Sequence, residues 1–225
     1  PGIIRYTVLH GDTIYKIAAR FGTTTQLILN ANPGLDPRRL FPGMVITITI
    51  PENAVAIYRG NPNRRMVSLT FDATYGDNQT HELLEILRNN NIKATFFLSG
   101  IWLINYPELA RAIAAEGHEI GNHSLTHPHM PLLTLQAVTN QIVRTEALIR
   151  NITGQDPYLF RPPFGEYTQA MLNQLASLGY VTIMWTVDSL DWKNPGPAAV
   201  VSRVVNNAVP GAIILLPLPE HRIPG

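Results

Sequence analysis

Residues 66–98 read MVSLTFDATYGDNQTHELLEILRNNNIKATFFL and combine two short apolar segments with one amphipathic stretch. Segments 67–71 and 94–98 have the composition of strands, and residues 79–90 carry apolar side chains at helical spacing. Two parallel strands need a crossover connection of this kind between them. The stretch therefore predicts a strand-helix-strand unit of an α/β fold.

The same alternation continues toward the C-terminus. Strand-like segments recur at residues 118–121, 158–160, 181–187 and 212–216, and helical patterns recur at residues 107–116, 134–150, 168–178 and 197–208. A complete eight-unit barrel typically takes roughly 250 residues, far more than this part of the chain supplies. We therefore expect a distorted, incomplete (β/α) barrel over residues 66–225.

Residues 1–51 read as a separate, small βααβ unit. It begins with a strand at residues 5–9 and ends with an alternating strand at residues 44–50. Asp12 stands where an N-cap carboxylate would satisfy the free amides of the first helix. The polar, turn-rich residues 52–65 are typical of a linker between the two domains.

Bulk composition excludes several classes of function. The 225 residues carry 17 basic and 16 acidic side chains, so no strong field favours nucleic acid as a partner. There is no cysteine, so a zinc ion would need His and carboxylate ligands. No apolar run reaches the roughly 18 residues of a membrane span, and no signal segment precedes the domains. The chain is thus either cytoplasmic or a processed form.

The N-terminal unit carries five short motifs in a fixed order. They are Tyr6-Thr7-Val8, Gly11-Asp12-Thr13, Ile17-Ala18, Asn30-Ala31-Asn32-Pro33 and Leu40-Phe41-Pro42-Gly43. The segment resembles a LysM module, which implies binding to glycans that contain N-acetylglucosamine, in peptidoglycan or chitin. By that resemblance the sugar groove is flanked by Gly11, Asp12, Thr13, Asn30, Asn32 and Pro33. The alternative assigns each glycine and proline to turn chemistry alone.

Polar side chains follow the predicted strands of the larger domain at the points where these strands end. They are Asp72, His123, His127, Arg161, Asp188 and Asp191. Barrels of parallel strands assemble their active sites at this face. We therefore expect these side chains to meet at one rim.

The spacing of His123 and His127 allows both imidazoles to reach one metal ion from a helical turn. Ser124 stands where the zinc-protease motif requires a glutamate, which disfavours a peptidase. Asp72 beside such an ion would suit a general base, and the alternatives are a helix cap or a surface carboxylate. Arg161 would orient Asp72, and the alternative is a strand-end salt bridge.

Two further features could serve a substrate. Gly165 would free nearby backbone amides to face a developing oxyanion. Trp192 could line an apolar pocket for a methyl group, and the alternative is an ordinary core residue.

Four motifs carry a second resemblance: Thr70-Phe71-Asp72, His123-Ser124-Leu125-Thr126-His127, Arg161-Pro162-Pro163-Phe164-Gly165 and Asp188-Ser189-Leu190-Asp191-Trp192. Residues 66 to about 216 are similar to the NodB-homology polysaccharide deacetylases, carbohydrate esterase family 4. The resemblance implies a divalent ion, usually Zn²⁺ with Co²⁺ as an alternative, which activates water against an acetamide carbonyl.

The same resemblance implies a role for each matching residue. Asp72 is the base, His123 and His127 hold the metal, and Arg161 positions Asp72. The backbone amide of Tyr167 helps to stabilise the oxyanion. A further histidine, tuned by Asp191, protonates the departing amine. Pro163, Phe164 and Trp192 contact the substrate.

The chain departs from the family pattern at two positions. Ala73 occupies the place of a second aspartate that ligates the metal, so the ion binds weakly, recruits Asp77 or Asp72, or is absent. Pro217 stands where the last strand should lead into the acid histidine. Either residues are missing between Leu216 and Pro217, or the usual acid is lacking and His221 is a poorly placed substitute.

The motifs together predict a metal-dependent N-deacetylase of a wall polysaccharide, held on its substrate by the LysM module. Peptidoglycan is preferred over chitin, and the motifs do not distinguish N-acetylglucosamine from N-acetylmuramic acid. Such a substrate implies an extracellular, wall-associated protein whose signal segment is absent from this chain. The rival hypotheses are a catalytically inactive carbohydrate-binding protein, a chitooligosaccharide deacetylase and a purely structural wall-attachment protein.

Overall fold

A computed structural model describes residues 2–21, 23–50, 53–76 and 79–218 of the chain. Its strands are β1 (Gly2–Thr7), β2 (Val45–Ile50), β3 (Ser68–Ala73), β4 (Thr95–Leu98), β5 (Glu119–Asn122), β6 (Leu159–Phe160), β7 (Val181–Thr182), β8 (Val187–Asp188) and β9 (Ile213–Pro217). Its helices are α1 (Ile14–Arg20), α2 (Thr25–Ala31), α3 (Thr80–Asn89), α4 (Gly100–Asn105), α5 (Pro107–Ala115), α6 (Leu135–Thr153), α7 (Gln169–Ser177) and α8 (Pro197–Asn207). No helix in these ranges has the length and hydropathy of a membrane span.

The N-terminal unit is a βααβ fold, as predicted. Strands β1 and β2 pair antiparallel, from Gly2 opposite Ile50 to Thr7 opposite Val45. Alternate residues of β2 face the two helices, so that Ile46 and Ile48 are buried. They pack with Ile17 of α1 and Ile28 of α2. The module therefore has an apolar core of its own.

The prediction that Asp12 caps the first helix was wrong. Helix α1 begins at Ile14, so the N-cap position falls on Thr13, whose hydroxyl accepts the amide of Lys16 at 3.2 Å. Asp12 Oδ2 instead accepts hydrogen bonds from the Leu9 amide at 2.8 Å and from the Tyr6 hydroxyl at 2.5 Å. Asp12 thus ties the end of β1 to the start of α1.

The larger sheet has seven strands in the order β7-β6-β5-β4-β3-β9-β8, and every described pair is parallel. Helices α3, α4, α5 and α6 cover its outer face and enclose an apolar core with Phe96, Leu98 and Trp102. The sheet curls into a half barrel that remains open between β7 and β8. This confirms the expected distorted, incomplete barrel.

The predicted continuous strand over residues 181–187 was wrong. The segment forms two-residue strands at opposite edges of the sheet, β7 beside β6 and β8 beside β9. Its backbone changes partners midway, because the Ile183 amide donates to Phe160 O and the Thr186 amide donates to Ile213 O. The segment thus runs across the open side of the barrel.

Part of the stretch expected to be a linker lies against this opening. Ile57 forms a parallel bridge with Ile183, and Arg59 forms an antiparallel bridge with Ala212. The amide of Ala54 also donates to Asn173 Oδ1 at 2.9 Å. Residues 54–59 are therefore held on the half barrel at several points.

Candidate active site

A groove of about 1700 Å³ runs along the C-terminal ends of the strands in the half barrel. Its lining includes seven residues that the sequence analysis names for the site: Asp72, His123, His127, Phe164, Asp188, Asp191 and Trp192. Side chains from β3, from the loop after β5 and from the turn after β8 meet there because these strand ends lie at one edge of the sheet. The predicted rim therefore exists.

Asp72 and Arg161 form a buried ion pair at the floor of this rim. Arg161 Nη1 donates to Asp72 Oδ1 at 2.8 Å, and the two side chains are 0% and 13% exposed. Charged groups buried to this extent require a partner of opposite charge. The pair leaves Asp72 Oδ2 as the carboxylate oxygen that does not bind the guanidinium.

Every nitrogen of the Arg161 guanidinium is held in place. Besides Asp72, it donates to the Thr70 hydroxyl and to the backbone carbonyls of Ile183 and Met184, at 2.8, 3.3 and 3.0 Å respectively. Its plane also lies over the ring of Phe97, 4.2 Å from the centroid. Arg161 is thus fixed by its surroundings and fixes Asp72 in turn.

His123 is buried beside this pair, and its tautomer follows from its contacts. Nδ1 lies 2.7 Å from the carbonyl oxygen of Arg161, which can only accept a hydrogen bond, so Nδ1 carries the proton. Burial lowers the pKa of His123, so the ring is neutral at physiological pH. Its bare Nε2 therefore faces Asp72 Oδ2 at 3.8 Å. Two acceptors in this arrangement favour a shared proton or cation between them.

His127 lies next to His123, with 5.0 Å between the ring centroids. Burial, assisted by the neighbouring imidazole, lowers the pKa of His127 to about 4. The expected helical turn between them was wrong: the segment is an irregular loop with positive φ angles at Ser124 (65°) and His127 (54°). Both imidazoles are nevertheless neutral and close together, as metal ligands must be.

This loop is shaped by residues that sequence reasoning missed. Asn122 Oδ1 accepts the Ser124 amide at 3.0 Å, and Gln141 Oε1 accepts the Leu125 amide at 2.8 Å. Gly100 at the start of α4 permits close packing, because a Cβ there would lie 2.3 Å from a side-chain carbon of Leu125. Helix α4 was not predicted either. Asn122, directly after the strand predicted at residues 118–121, was the available signal, since a buried amide needs backbone partners.

The two imidazoles have the right chemistry to bind a divalent ion, but the described residues supply too few ligands for a catalytic zinc site. Neutral imidazoles such as His123 and His127 are common zinc ligands, and catalytic zinc sites have three protein ligands. Ala73 is fully buried in the apolar core behind β3 and supplies no donor. Within the described part of the chain, no three His, Asp or Glu side chains are placed to hold an ion. The residues therefore provide two ligands, with Asp72 Oδ2 beside them.

The Arg-Pro-Pro-Phe-Gly motif presents Phe164 to the groove. Phe164 adopts a positive φ of 58° and begins a tight turn with Gly165, where a Cβ would lie 2.6 Å from Trp185. Its ring stacks on His129 with 4.3 Å between centroids. Pro163 is buried and lies outside the groove lining. The second amide of a 3₁₀ turn, here that of Phe164, has no partner within the turn.

Tyr167, predicted to supply an oxyanion amide, also lies outside the groove lining. Its hydroxyl forms a 2.7 Å hydrogen bond with the Tyr58 hydroxyl, and this bond raises the pKa of Tyr167 to about 12. The geometry brings Phe164 to the rim and leaves Tyr167 beside it.

The turn after β8 brings two aspartates and Trp192 to the other side of the groove. Asp188 Oδ1 accepts the amide of Leu190 at 2.9 Å. No described residue donates a hydrogen bond to the buried Oδ1 of Asp191. Trp192 is 56% exposed, and Pro217 lines the groove with it, at the end of β9. Asp77 and His221, the other candidates named from the sequence, lie outside the described residues.

In the N-terminal unit, two of the predicted sugar-contacting residues are occupied by internal hydrogen bonds. The Asn32 side chain donates to the carbonyls of Ile28 and Thr47 at 2.7 and 2.6 Å and accepts the Thr47 amide at 2.7 Å. Asp12 is held in the contacts described above. The exposed candidates are Gly11, Thr13, Asn30 and Pro33.

Comparison with known proteins agrees with both parts of this geometry. The family model described as polysaccharide deacetylase matches residues 59–183, and the LysM domain model matches residues 6–49. A wild-type Bacillus anthracis protein described as a CE4 family pseudoenzyme has a similar structure. It is 33% identical, with a TM-score of 0.72, and the match covers 88% of this chain and 72% of that one.

Two curated relatives are named as enzymes. The peptidoglycan-N-acetylglucosamine deacetylase of Bacillus cereus is 34% identical over 75% of this chain and 60% of its own length. The peptidoglycan-N-acetylmuramic acid deacetylase PdaA of Bacillus subtilis is 34% identical over 72% of this chain and 63% of its own length. The chain thus spans about three fifths of the length of these relatives. It belongs to the polysaccharide deacetylase family, carbohydrate esterase family 4, and carries a LysM domain ahead of its deacetylase domain.

Proposed function

We propose that this chain is an N-deacetylase of peptidoglycan glycan, divided into a LysM module (1–51), a connecting segment (52–65) and a deacetylase domain (66–225). The observation that carries the proposal is the fixed Asp72–Arg161 pair beside two neutral imidazoles in one groove. A carboxylate that is positioned by a rigid cation next to unprotonated imidazoles suits activation of water against a neutral acetamide.

The proposed reaction begins with a water molecule at the free oxygen of Asp72. Arg161 occupies Oδ1, so Oδ2 accepts the proton as the water oxygen attacks the acetamide carbonyl. We propose that the amide of Phe164, which has no partner within its positive-φ turn, donates to the oxyanion, and the Tyr167 amide is the alternative donor. Trp192 and Phe164, both more than half exposed, provide apolar surfaces for the sugar and its methyl group.

We propose that His123 and His127 hold a divalent ion, Zn²⁺ or Co²⁺, whose positive charge would polarise the acetamide carbonyl. Members of this family are generally metal-dependent. Because Ala73 contributes no ligand, we expect weak binding that a chelator reverses readily.

The LysM module would hold the domain on the wall through its exposed residues Gly11, Thr13, Asn30 and Pro33. The partner is then a polymer rich in N-acetylglucosamine, and the protein acts at the cell wall outside the membrane. The two curated relatives differ in the sugar that they are named for, so both sugars belong in the assay.

A second candidate is a non-catalytic glycan-binding protein. Two features favour it: within the described residues no third ligand accompanies the two imidazoles, and Pro217 stands where the family resemblance expects the acid histidine. The Bacillus anthracis neighbour is itself described as a pseudoenzyme. Under this proposal the groove binds the glycan and releases no acetate.

One experiment separates the two candidates. Metal content is measured by elemental analysis, and acetate release from purified peptidoglycan is assayed before chelation, after chelation and after Zn²⁺ or Co²⁺ is added back. We expect acetate release that is lost on chelation and restored by metal. Retained glycan binding with neither metal nor acetate would establish the binding protein instead.

Asp72→Asn is the matched control for this assay. It keeps the size of the side chain and removes the proton acceptor, so we expect acetate release to fall by about 100-fold or more. Pull-down with peptidoglycan should be unchanged, because Asp72 lies in the deacetylase domain.

A further inference from the structure

We propose that Asp191 is itself the proton donor to the departing amine, taking over the step that a histidine performs in other members of the family. The inference rests on the proposed deacetylase function and names a catalytic residue that its mechanism lacks. It concerns the breakdown of the tetrahedral intermediate, whereas Asp72 serves its formation.

The first argument is the place of Asp191 in the groove. Its 3₁₀ turn, Asp191–Lys193, follows β8 and packs against β9, the strand that ends in Pro217. Asp191 and Pro217 both line the groove that contains Asp72. Proline has no side-chain donor or acceptor, so a proton for the amine must come from a titratable neighbour on this wall, such as Asp191.

The second argument is that one oxygen of the Asp191 carboxyl group has no hydrogen-bond partner among the described residues. Oδ1 of Asp191 is buried and receives no hydrogen bond from any described residue. A carboxylate in that state is costly, whereas a carboxylic acid can keep its proton until an acceptor arrives. Rotation about the Cβ–Cγ bond exchanges the two oxygens and can present that proton to the groove.

The titration behaviour agrees with this geometry. Burial raises the pKa of the Asp191 carboxyl above its ordinary value, hydrogen bonds with Ser189 and the Trp192 backbone oppose part of this rise, and the nearby Asp188 adds a smaller raising contribution. The cation of the same turn contacts an aromatic ring. The Lys193 ammonium lies over the Trp192 ring, 4.9 Å from its centroid.

Asp188 is the alternative carboxyl group, and its contacts differ from those of Asp191. Its Oδ1 accepts the Leu190 amide at 2.9 Å, so this oxygen already has a backbone partner. Arg203 Nε donates to the Asp188 carbonyl at 2.7 Å, which brings a guanidinium close to this residue as well. These contacts distinguish Asp188 from Asp191.

The step balances without any further reactant. Water gives its hydroxide to the acetyl carbon and one proton to Asp72. The C–N bond then breaks while Asp191 transfers its proton to the nitrogen, so that the amine leaves neutral and acetic acid remains. Asp72 releases its proton to solvent, and Asp191 regains one from solvent. The sum is one amide and one water converted to one amine and one acetic acid.

The test compares two substrates that differ in their need for an acid. An N-acetylglucosamine oligomer must lose an amine, which requires protonation, whereas 4-nitrophenyl acetate loses a stable phenolate that does not. We expect Asp191→Asn to lower kcat on the oligomer by about 100-fold or more. Ester hydrolysis should change by less than about threefold.

Two further variants strengthen the comparison. Asp188→Asn removes a carboxylate from the same wall and should leave the ratio of amide to ester hydrolysis unchanged. Asp191→Ala should regain part of its amide hydrolysis when formate buffer supplies an external acid. Circular dichroism confirms that each variant is folded.

The outcomes separate this inference from the proposed function. Equal losses on both substrates, or no loss on the oligomer, would exclude Asp191 as the acid. A wild-type protein that cleaves the ester but not the amide would do the same while leaving the water-activating groups intact. A wild-type protein that cleaves neither substrate would refute the deacetylase function itself.

Discussion

Replacing Arg161 with methionine should destabilise the deacetylase domain strongly. The substitution keeps much of the apolar volume and removes the only charged partner that Asp72 has in the described site. Removing one member of a buried ion pair typically costs about 3–5 kcal/mol, because the remaining charge stays buried and uncompensated. The carbonyls of Ile183 and Met184 also lose their donor. We therefore expect the free energy of unfolding to fall by about 3–5 kcal/mol.

A double-mutant cycle with Asp72→Asn measures the pair itself. The asparagine removes the buried negative charge, so Arg161→Met should cost less in its presence. We expect a coupling energy of about 2–3 kcal/mol, at the upper end of values for residues in direct contact. Urea unfolding followed by tryptophan fluorescence gives these energies for the deacetylase domain alone, since Trp102, Trp185 and Trp192 are the only tryptophans.

Arg150→Met is the matched control. Arg150 is 54% exposed and pairs with Glu146 on the surface of α6, where such a pair contributes about 0–1 kcal/mol. A loss below about 1 kcal/mol for Arg161→Met, or additive effects with Asp72→Asn, would contradict the account of a buried pair that fixes the base.

Three further predictions concern the supporting structure. Asn32→Ala removes three internal hydrogen bonds, so amide hydrogen exchange in β2 should speed up, corresponding to a loss of about 1–3 kcal/mol. Burial lowers the pKa of His118, so as the pH falls the unfolded chain takes up a proton at this residue before the folded chain does. The free energy of unfolding should therefore keep the whole His118 contribution above pH 6.5, the ordinary pKa, and should decrease as the pH falls below that value. His118→Asn should flatten this part of the pH profile of urea unfolding. Gly165→Ala should cost more stability than Gly154→Ala, since both have φ near 70° but only the first would clash. Equal costs in urea unfolding would show that the clash is relieved.

The sequence predicts the sheet and the rim because both follow from local patterns. An apolar run followed by a polar residue marks the end of a strand, and this pattern identifies Asp72, His123 and Arg161. The broken strand at 181–187 could not, because hydrophobic pattern does not reveal that Ile183 and Thr186 pair with different edges of the sheet. Long-range pairing decided that segment.

Side-chain partners were less predictable than positions. The spacing of His123 and His127 predicts a helical turn, whereas the segment between them is an irregular loop. Hydrogen bonds from its backbone amides to the side chains of Asn122 and Gln141 hold this loop, and their spacing in the sequence does not reveal these partners. The motifs that contain Asp12 and Asn32 predict sugar contacts for both residues, whereas their hydrogen bonds are internal to the module. A motif identifies such residues without showing whether they face a ligand or support the fold.

The site has two halves: one contains the Asp72–Arg161 pair, and the other contains the two positions, Ala73 and Pro217, at which the chain departs from the family pattern. A buried ion pair adds little net stability, since apolar residues of similar volume often serve as well. The complete anchoring of Arg161 therefore serves the position of Asp72, which is the water-activating residue of the proposed function. Ala73 and Pro217 lie in the other half, which in the proposed function would hold the metal and donate the last proton. Under the proposed function we expect weak metal binding and slow amine departure, whereas Phe164 and Trp192 still expose apolar surface to the groove. We therefore expect the hydrolysis of esters with good leaving groups to be less impaired than the hydrolysis of amides.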